Sequence, residues 1–351
     1  MAGFLALELH LAFVVSLFNK IVIMFSFDKF QTEVDIPQLE SKLGYRRPFM
    51  MMGSCFATNI GQKLVRLKMP VMVNPFGVIY NPLSVAQSIH ALASPCHLEA
   101  SDLFEQNGIW CSYSHHSSFS GPDRDDCLSK INQTIDVGAI MLRDSSHLII
   151  TLGTSWAYRL KDTGNTVANC HKTPSSAFDR VFVGCAQVVE LLGTAIEAAR
   201  RLNPSLKIVL TVSPIRHVKD GLVENQRSKS NLLVACHELA ERVDGVYYFP
   251  SYEIMMDELR DYRFYAEDMV HPSGQAVDII FKRFVLAAAD EESQRVMADV
   301  EKVIRAVEHR PFNANTVEHF KFKAKMADVS ERLQKRYSFL DLSSEISYFR
   351  Q

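Results

Sequence analysis

The sequence has 351 residues, of which 47% are hydrophobic and 22% are charged, a composition typical of a globular chain that buries one large core. Lys and Arg together number 38 and Asp and Glu number 40, so the formal net charge is -2. A chain with this balance has no long-range attraction for a phosphate backbone, which excludes nucleic acid as an expected partner.

The first segment of the chain, residues 1–27, is apolar but does not match a targeting or membrane signal. A secretory signal has positive charge before its apolar run and small residues at a cleavage site, and neither stands here in that order. An unbroken membrane span needs about 20 apolar residues. This segment is interrupted by Glu8, His10, Asn19 and Lys20. We expect an apolar extension, with Met24 as the true start, or a weak membrane anchor.

From residue 48 onward, apolar runs of strand length alternate with segments of helical period, which is typical of a parallel sheet covered by helices. The strand candidates are residues 48–52, 71–73, 147–152, 206–212 and 245–249. Helices are predicted at 55–68 and 182–202, each with its apolar residues on one face. Right-handed crossovers between the strands then predict a doubly wound, flavodoxin-like parallel sheet with helices on both faces.

Two long stretches interrupt this alternation. Residues 103–126 are rich in Ser, His, Gly and aromatic residues, and residues 158–176 contain a turn signal at Asp162 to Asn165. Loops of that length inside a compact domain are usually functional or contain inserted hairpins. We expect both stretches to form the rim of a functional site.

The end of the chain becomes helical and charged after residue 281, with helices predicted at 291–308 and 315–337. We therefore divide the chain into a main domain at 40–290 and a helical C-terminal tail at 291–351. The tail combines an apolar face with charged faces, so we expect it to pack on the domain as a cap or to join two copies in a homodimer.

The turn after the first strand combines a glycine with two nucleophilic side chains. Gly53, Ser54 and Cys55 stand between an apolar strand and an amphipathic helix. Ligands of open α/β sheets bind at this edge, and a helix start supplies free N–H donors and a positive dipole end. The sequence therefore indicates either a nucleophile site or a tight turn in which small residues are merely convenient.

Asp268 and His271 form a D-x-x-H pattern just before a helix that starts near Gly274. At this spacing both side chains can face one site from a loop, with the histidine acting as a base that the aspartate orients. The alternative is a helix-capping aspartate beside a surface histidine. Its place after the last strand, at the same sheet edge as Ser54 and Cys55, favours the functional interpretation.

Here the sequence resembles a known family. Residues 53–61, GSCFATNIG, resemble the signature of the GSCFA family of the SGNH/GDSL hydrolase clan, and D-x-x-H resembles the clan motif that supplies the catalytic Asp268 and His271. The resemblance implies an SGNH-like fold, acyl-ester chemistry without a cofactor, and a small-molecule or saccharide ester substrate. Further family matches lie at residues 74–77, 80–82, 152–156, 169–172 and 213–217.

The nucleophile differs from the clan pattern. When the glycines are aligned, the clan's G-D-S meets Gly53, Ser54 and Cys55, so Cys55 takes the nucleophile's place and Ser54 that of the aspartate. Either a Cys55 thiolate or a Ser54 alkoxide could then attack. The alignment with the clan's G-D-S motif favours Cys55. A thiol at a helix start near a histidine is also expected to have a lowered pKa.

The oxyanion donors also differ. The resemblance implies the nucleophile's own N–H, a glycine N–H, for which we choose Gly77, and an Asn side chain from a G-x-N-D motif. In the place of that motif the chain has GTSW, so the Asn amide is missing. Thr154, Ser155 or Asn81 is expected to supply a donor instead, because losing one donor costs about 3 kcal/mol of transition-state stabilisation.

Two further loops are expected at the same edge. Lys172 and Arg216 could bind an anionic part of the substrate, and His171 or His217 could serve as an alternative base. The simpler interpretation is loop packing and surface charge. A metal site from Cys170 and the two histidines is disfavoured, because neither ligand spacing nor a supporting carboxylate is visible, and we expect no metal.

The seven cysteines are scattered, without a C-x-x-C pair. An odd number in a chain of this length is typical of reduced thiols, several of them buried as small hydrophobes. We expect a cytoplasmic protein, with membrane association only through residues 1–27.

Three functions remain open at this point. The first is an esterase or deacylase, in which His271 moves the proton and water releases the acyl group. The second is an acyltransferase that uses the same covalent intermediate with an alcohol acceptor. The third is a catalytically weak binding protein, which the missing Asn donor suggests.

Overall fold

A parallel sheet of five strands lies at the centre of the computed structural model, which describes residues 32–351. The strands are β1 (Phe49–Gly53), β2 (Val71–Val73), β3 (His147–Leu152), β4 (Lys207–Val212) and β5 (Val246–Tyr248). Each begins and ends within one residue of its sequence-based prediction. Their order is β5-β4-β3-β1-β2, with every neighbouring pair parallel. This is the flavodoxin-like order, so the predicted doubly wound fold is confirmed.

Helices cover both faces of the sheet. They are α1 (Cys55–Arg66), α2 (Pro82–Ala93), α3 (Arg124–Asp144), α4 (Cys185–Leu202), α5 (Leu222–Arg242), α6 (Gly274–Ala288), α7 (Glu291–Glu308), α8 (Val317–Arg336) and α9 (Ser343–Arg350). Strand side chains alternate between two cores, because successive residues point to opposite faces. Met51 and Ile149 contribute to the core shared with α1, α6 and the C-terminal helices, and Met50 and Ile150 to the core shared with α2 to α5.

Helix α4 starts three residues later than expected. The predicted helix began at residue 182, but Phe182 ends the strand Phe178–Phe182, which pairs antiparallel with Trp156–Leu160. Gly184 then caps α4. The apolar residues before the cap match a helical period, but their backbone groups pair with a strand that is distant in sequence. The predicted start of this helix was therefore wrong.

Both interrupting stretches contain small antiparallel sheets. The first holds a hairpin of Phe104–Gln106 and Ile109–Cys111, and the second belongs to a three-stranded sheet with Thr166–Val167 at one edge. The two insertions touch each other, since the N–H of Ala168 donates to the carbonyl oxygen of Tyr113 at 2.8 Å.

The C-terminal tail packs on the domain. Val296, Val300 and Phe349 belong to the same apolar core as Met51 of β1. Arg66, at the end of α1, pairs with Glu301 and Glu308 of α7. The expected helical cap is therefore a continuation of the domain's core.

The apolar segment at 1–27 lies outside the described residues. Within residues 32–351, no helix is both long and apolar enough to cross a membrane.

Candidate active site

The turn after β1 is fixed by a glycine and an asparagine. Gly53 has φ +134°, and a Cβ on it would lie 2.1 Å from the carbonyl oxygen of Thr151, so only glycine is accommodated. The Gly53 N–H donates to Asn74 Oδ1 at 2.8 Å. Asn74 therefore positions the turn from the loop after β2, a role that the sequence did not predict.

Ser54 is tied into the protein. It is 3% exposed, its N–H donates to the carbonyl oxygen of Thr151 at 3.1 Å, and its Oγ accepts from the Phe56 N–H at 3.2 Å. The last contact makes Ser54 the N-cap of α1. Both polar groups of this nucleophile candidate are thus engaged in local structure.

Cys55 is the first residue of α1 and is exposed. Its N–H makes no hydrogen bond to another residue of the described chain. An unpartnered N–H at a helix start is a ready donor for a developing negative charge. The turn therefore presents a thiol and a free donor together.

The expected lowered pKa of Cys55 was wrong. Partial burial around Sγ raises the pKa of the thiol, and the hydrogen bond with the residue's own backbone N–H lowers it less. Although the residue as a whole is exposed, the thiolate would lose hydration that one backbone donor does not replace. Cys55 therefore needs a base to remove its proton at neutral pH.

Asp268 and His271 form a tight pair. His271 Nδ1 lies 2.7 Å from Asp268 Oδ2, while Asp268 Oδ1 accepts the N–H groups of Val270 and His271, each at 2.9 Å. The N–H of His271, its ring and the N–H of Val270 together lower the pKa of Asp268 to about 2. The carboxylate therefore stays ionised at neutral pH and orients the ring.

The other ring nitrogen of His271, Nε2, is free to act. It makes no hydrogen bond within residues 32–351, and in particular none to Ser54 or Cys55. Nucleophile–base contacts are often long before a substrate binds. In the pair, Asp268 holds Nδ1 and leaves Nε2 as the nitrogen that can accept a proton.

His217 lies beside the loop that follows β3. Its Nε2 is 3.1 Å from the position that a Cβ on Gly153 would take, and its ring centroid is 5.4 Å from that of Tyr80. The His217 N–H donates to Asn225 Oδ1 of α5 at 2.8 Å. Glycine at position 153 therefore allows the imidazole to approach the end of β3.

The imidazole of His217 is neutral at physiological pH. Burial, followed by the charges of Lys229 and His271, lowers its pKa to about 3. A group with so low a pKa is a poor general base near neutrality. It remains an effective N–H donor.

Two links bring these loops together. The Arg216 N–H donates to the carbonyl oxygen of Val270 at 3.2 Å, which joins the loop after β4 to the His271 loop. Burial raises the pKa of Tyr80, and negative charge on Cys170, Tyr158 and Cys55 raises it further. Tyr80 thus lies within electrostatic range of Cys55 and in contact with the ring that neighbours His271. Tyr80 was not assigned a role from the sequence.

Asn81 has both polar atoms of its side-chain amide in hydrogen bonds. It is the N-cap of α2, where Oδ1 accepts the Ser84 N–H at 2.9 Å and Nδ2 donates to Ser84 Oγ at 3.0 Å. It is also buried. The expected oxyanion donor is therefore occupied as a helix cap.

Thr154 and Ser155 face α5. The Oγ1 of Thr154 lies 3.0 Å from Ser228 Oγ, and Ser155 donates from its N–H to Ser228 Oγ at 2.7 Å and from its Oγ to the Ser228 carbonyl oxygen at 3.1 Å. The N–H of Thr154 contacts the Tyr80 carbonyl oxygen at 3.3 Å. The Ser155 donors are occupied by packing contacts and the Thr154 hydroxyl lies in the same cluster, so a role for either residue as an oxyanion donor stays a prediction.

Gly77 lies in a left-handed turn with φ +74°, where a Cβ would meet His116 Cβ at 2.2 Å. Its N–H donates to the Asn74 carbonyl oxygen at 2.8 Å. Glycine is required there by the turn, and its N–H is not available to a ligand.

His171 joins the two insertions. Its Nε2 lies 2.8 Å from the Ser112 carbonyl oxygen and 3.0 Å from that of His115, and burial lowers its pKa. The ring is thus engaged in packing. Lys172 is exposed and makes no hydrogen bond or ion pair within the described chain. No group of three His, Cys, Asp or Glu side chains that could bind a metal occurs in residues 32–351.

Lys229 is a buried cation that the sequence analysis missed. Its Nζ donates to the carbonyl oxygens of Gly153 at 2.6 Å and Ser213 at 2.7 Å, joining the carboxyl ends of β3 and β4. It is 1% exposed, and burial lowers its pKa to about 7. The sequence does place Lys229 next to Ser228 among the buried positions of α5, and this position could have indicated a buried lysine.

Replacing Lys229 by methionine is expected to change how stability depends on pH. The folded-state pKa of about 7 lies below the unfolded value, so the unfolded chain binds more protons between the two and the wild type gains stability as pH rises. Between pH 6 and pH 9 the gain relative to Lys229→Met is expected to be on the order of 2 kcal/mol by urea unfolding. Lys172→Met, at an exposed lysine, serves as the control. A stability difference independent of pH would contradict the assignment.

Fold and site define a doubly wound α/β protein with a candidate active site at the topological switch point between β1 and β3. The chain belongs to the GSCFA family, which matches residues 48–284, and the C-terminal domain of GSCFA domain proteins matches residues 300–351. No curated protein matches the chain.

Solved structures resemble the chain only distantly. One, assigned provisionally as a platelet activating factor from Streptococcus pneumonia, is 12% identical, with a TM-score of 0.37 and coverage of 80% of this chain and 98% of that one. A family two carbohydrate esterase from Clostridium thermocellum is 13% identical, with a TM-score of 0.33 and coverage of 73% and 65%. A carbohydrate esterase family 3 protein from Talaromyces cellulolyticus is 8% identical, with a TM-score of 0.33 and coverage of 73% and 99%.

Proposed function

We propose that this GSCFA protein hydrolyses acyl esters, with Cys55 as nucleophile and His271 as general base. The main support is the division of roles in the turn after β1. Ser54 is buried and bonded through both its N–H and its Oγ, whereas Cys55 is exposed and has an N–H that no other residue of the described chain engages. This arrangement favours the thiol over the hydroxyl.

The proposed reaction has two halves. His271 Nε2 takes the Sγ proton of Cys55 while Sγ bonds to the acyl carbon, and His271 then gives that proton to the departing alcohol. A thioester remains on Cys55. His271 next takes a proton from water, whose oxygen attacks the thioester, and the returning proton regenerates the thiol as the carboxylic acid leaves. The raised pKa of Cys55 agrees with a thiol that is deprotonated by a base during attack.

Two donors are proposed for the oxyanion. The first is the N–H of Cys55. The second is the neutral imidazole of His217, which lies at the end of β3 beside Gly153, the first residue of the stretch that replaces the clan's Asn motif. Burial and the Lys229 charge keep the ring neutral, so it donates a hydrogen bond without changing charge. Such a donor contributes roughly 10²–10³-fold to kcat.

The experiment is an acyl-transfer assay with phenyl acetate and S-phenyl thioacetate on the purified protein. Hydrolysis is expected to release phenol or thiophenol with one equivalent of acetate, and rapid acid quenching should leave an acetyl group on the Cys55 peptide in mass spectrometry. Added alcohols test transfer, since an acetylated acceptor at the expense of acetate would assign the acyltransferase reaction. Absence of both turnover and acetylation would contradict the proposal and favour a binding protein.

A further inference from the structure

A cleft opens around Arg216, the residue that the sequence suggested as a contact for an anionic part of the substrate. It contains a cavity of about 580 Å³ that adjoins a second of about 220 Å³. Small-molecule sites usually occupy about 300–1,000 Å³. The residues that line both cavities are Arg216, Gln226, Tyr252, Met256 and Tyr262. The cleft therefore has the size of a small ligand.

The cleft shares a wall with the His271 loop. Tyr265, which lines the larger cavity, pairs with Pro272 in an antiparallel bridge. The N–H of Ala266 donates to the His271 carbonyl oxygen at 2.8 Å. One segment thus carries both a wall of the cleft and the backbone partner of the proposed base, which connects the cleft to the His271 loop.

Tyrosine and methionine side chains form the walls. Tyr262 is 67% exposed and presents its ring to solvent at the cleft, while Met255 and Met256 lie deeper in the protein. An exposed aromatic ring that lines a concave surface provides a stacking platform for a flat or ring-shaped group. The apolar lining favours a ring over a purely polar ligand.

Arg216 supplies the cleft with positive charge. Its guanidinium carbon lies 4.1 Å from the ring centroid of Tyr265 and 5.7 Å from that of Tyr262. Its one polar side-chain contact in the described chain is a long one, from Nη1 to the Met269 carbonyl oxygen at 3.5 Å. The stacked guanidinium therefore has its orientation restricted while most of its N–H donors are unused.

The carboxylates that line the cleft have other partners. Asp257 accepts from Arg260 at 2.8 Å, and Asp261 accepts the Arg263 N–H at 2.9 Å. Glu253 accepts the Tyr248 hydroxyl at 2.9 Å, and burial raises its pKa, which favours its neutral form. Arg216 has no carboxylate partner in the described chain, and its side-chain donors are largely unused, whereas Lys229, which lines the smaller cavity, donates to two backbone carbonyl oxygens.

We propose that this cleft binds the alcohol part of the substrate, and that this part is a ring bearing a carboxylate, sulfate or phosphate group. The ring stacks on Tyr262, and the oxyanion accepts hydrogen bonds from Arg216, whose planar fork matches two oxygens of such a group. The inference rests on the proposed function for its position in the reaction. It adds a substrate class to that function.

Direct binding tests the proposal independently of turnover. The probes are 4-hydroxybenzoate, 4-hydroxyphenyl sulfate and 4-hydroxyphenyl phosphate, with phenol as the uncharged comparison, each titrated calorimetrically into the wild type. At least one anion is expected to bind at least about tenfold more tightly than phenol, because a charge-assisted, bidentate contact is added. The tightest probe identifies the anionic group.

Variants locate the site. Arg216→Gln is expected to remove the preference for the anion, and Tyr262→Ala to weaken the binding of phenol and anion alike. Arg242→Gln, on the far end of α5 where Arg242 pairs with Glu238 at 2.6 Å, should leave binding unchanged. Equal affinity for phenol and all three anions, or an unchanged preference in Arg216→Gln, would overturn the proposal.

The catalytic proposal and the cleft proposal fail in different ways. Cys55→Ala should bind the probes as the wild type does, because Cys55 is not part of the cleft. Anion binding in a protein without esterase activity would leave the cleft assigned and refute the reaction. Esterase activity with equal KM for phenyl acetate and for the acetate ester of the tightest-binding probe would refute the cleft as the alcohol subsite.

Discussion

Replacing Cys55 by alanine is expected to lower kcat by at least about 10³-fold, because the variant has no nucleophile to form the acyl-enzyme. Only substrate binding and the oxyanion donors would then contribute to catalysis. Replacing Ser54 by alanine is expected to preserve turnover within a few-fold. The Ser54→Ala variant loses the N-cap of α1, which should reduce the free energy of unfolding by about 1 kcal/mol. Steady-state kinetics and urea unfolding of both variants separate the two roles.

The control for this pair is Cys96→Ala, which removes the other exposed cysteine and should change neither property. The competing outcome is definite. If a serine-directed fluorophosphonate labelled Ser54 while Cys55→Ala stayed active, the serine mechanism would be restored, and Cys55 would be a small residue that completes the turn.

Replacing His271 by alanine is expected to lower kcat/KM by roughly 10²–10⁴-fold, the usual contribution of a positioned general base. The loss should fall with added imidazole or with rising pH, because either supplies the proton acceptor that the variant lacks. Asp268→Asn should show a smaller loss, since the backbone contacts to Oδ1 can persist while the ring loses its ionised partner. Initial rates across pH 5 to 9 measure both effects.

His217 provides the contrasting histidine. As an oxyanion donor, its replacement by alanine should lower kcat by roughly 10²–10³-fold without moving the acid limb of the pH profile, because its pKa of about 3 lies below that range. His217→Gln, which retains an N–H donor, should recover part of the loss. Full activity in His271→Ala with an altered pH profile in His217→Ala would reverse the two assignments.

The central strands β1 and β3 were predictable because they are buried on both faces and are therefore continuous apolar runs. The short strand β2 is only half-buried, but it too is an apolar run, and β2 and β3 were predicted at their observed bounds. The turn at Gly53 and the Asp268–His271 pair were predictable for a different reason. The Ser54 cap of α1 and the contact between Asp268 and His271 each join residues within three positions, so sequence spacing and structure carry the same information there.

The oxyanion donors were not predictable because their partners are distant in sequence. Thr154 and Ser155 are polar residues at the correct sheet edge, but Ser228 of α5 binds them from more than seventy positions away. The same helix contributes Lys229, whose contacts to Gly153 and Ser213 depend on how α5 packs. Nor can a sequence indicate that His217 is desolvated, because burial is a property of the assembled loops.

The contact between α1 and the C-terminal tail has a consequence for synthesis in the cell. The helix that begins at Cys55 ends at Arg66, which pairs with α7, and the adjacent Lys68 pairs with Glu345 at 2.8 Å. A growing chain therefore lacks the ion pairs at the end of this helix, and the core that Met51 shares with Val296 and Phe349 stays incomplete, until about 280 further residues have left the ribosome. Translation products truncated before the tail would leave part of that apolar core uncovered, which makes them substrates for chaperones and proteases.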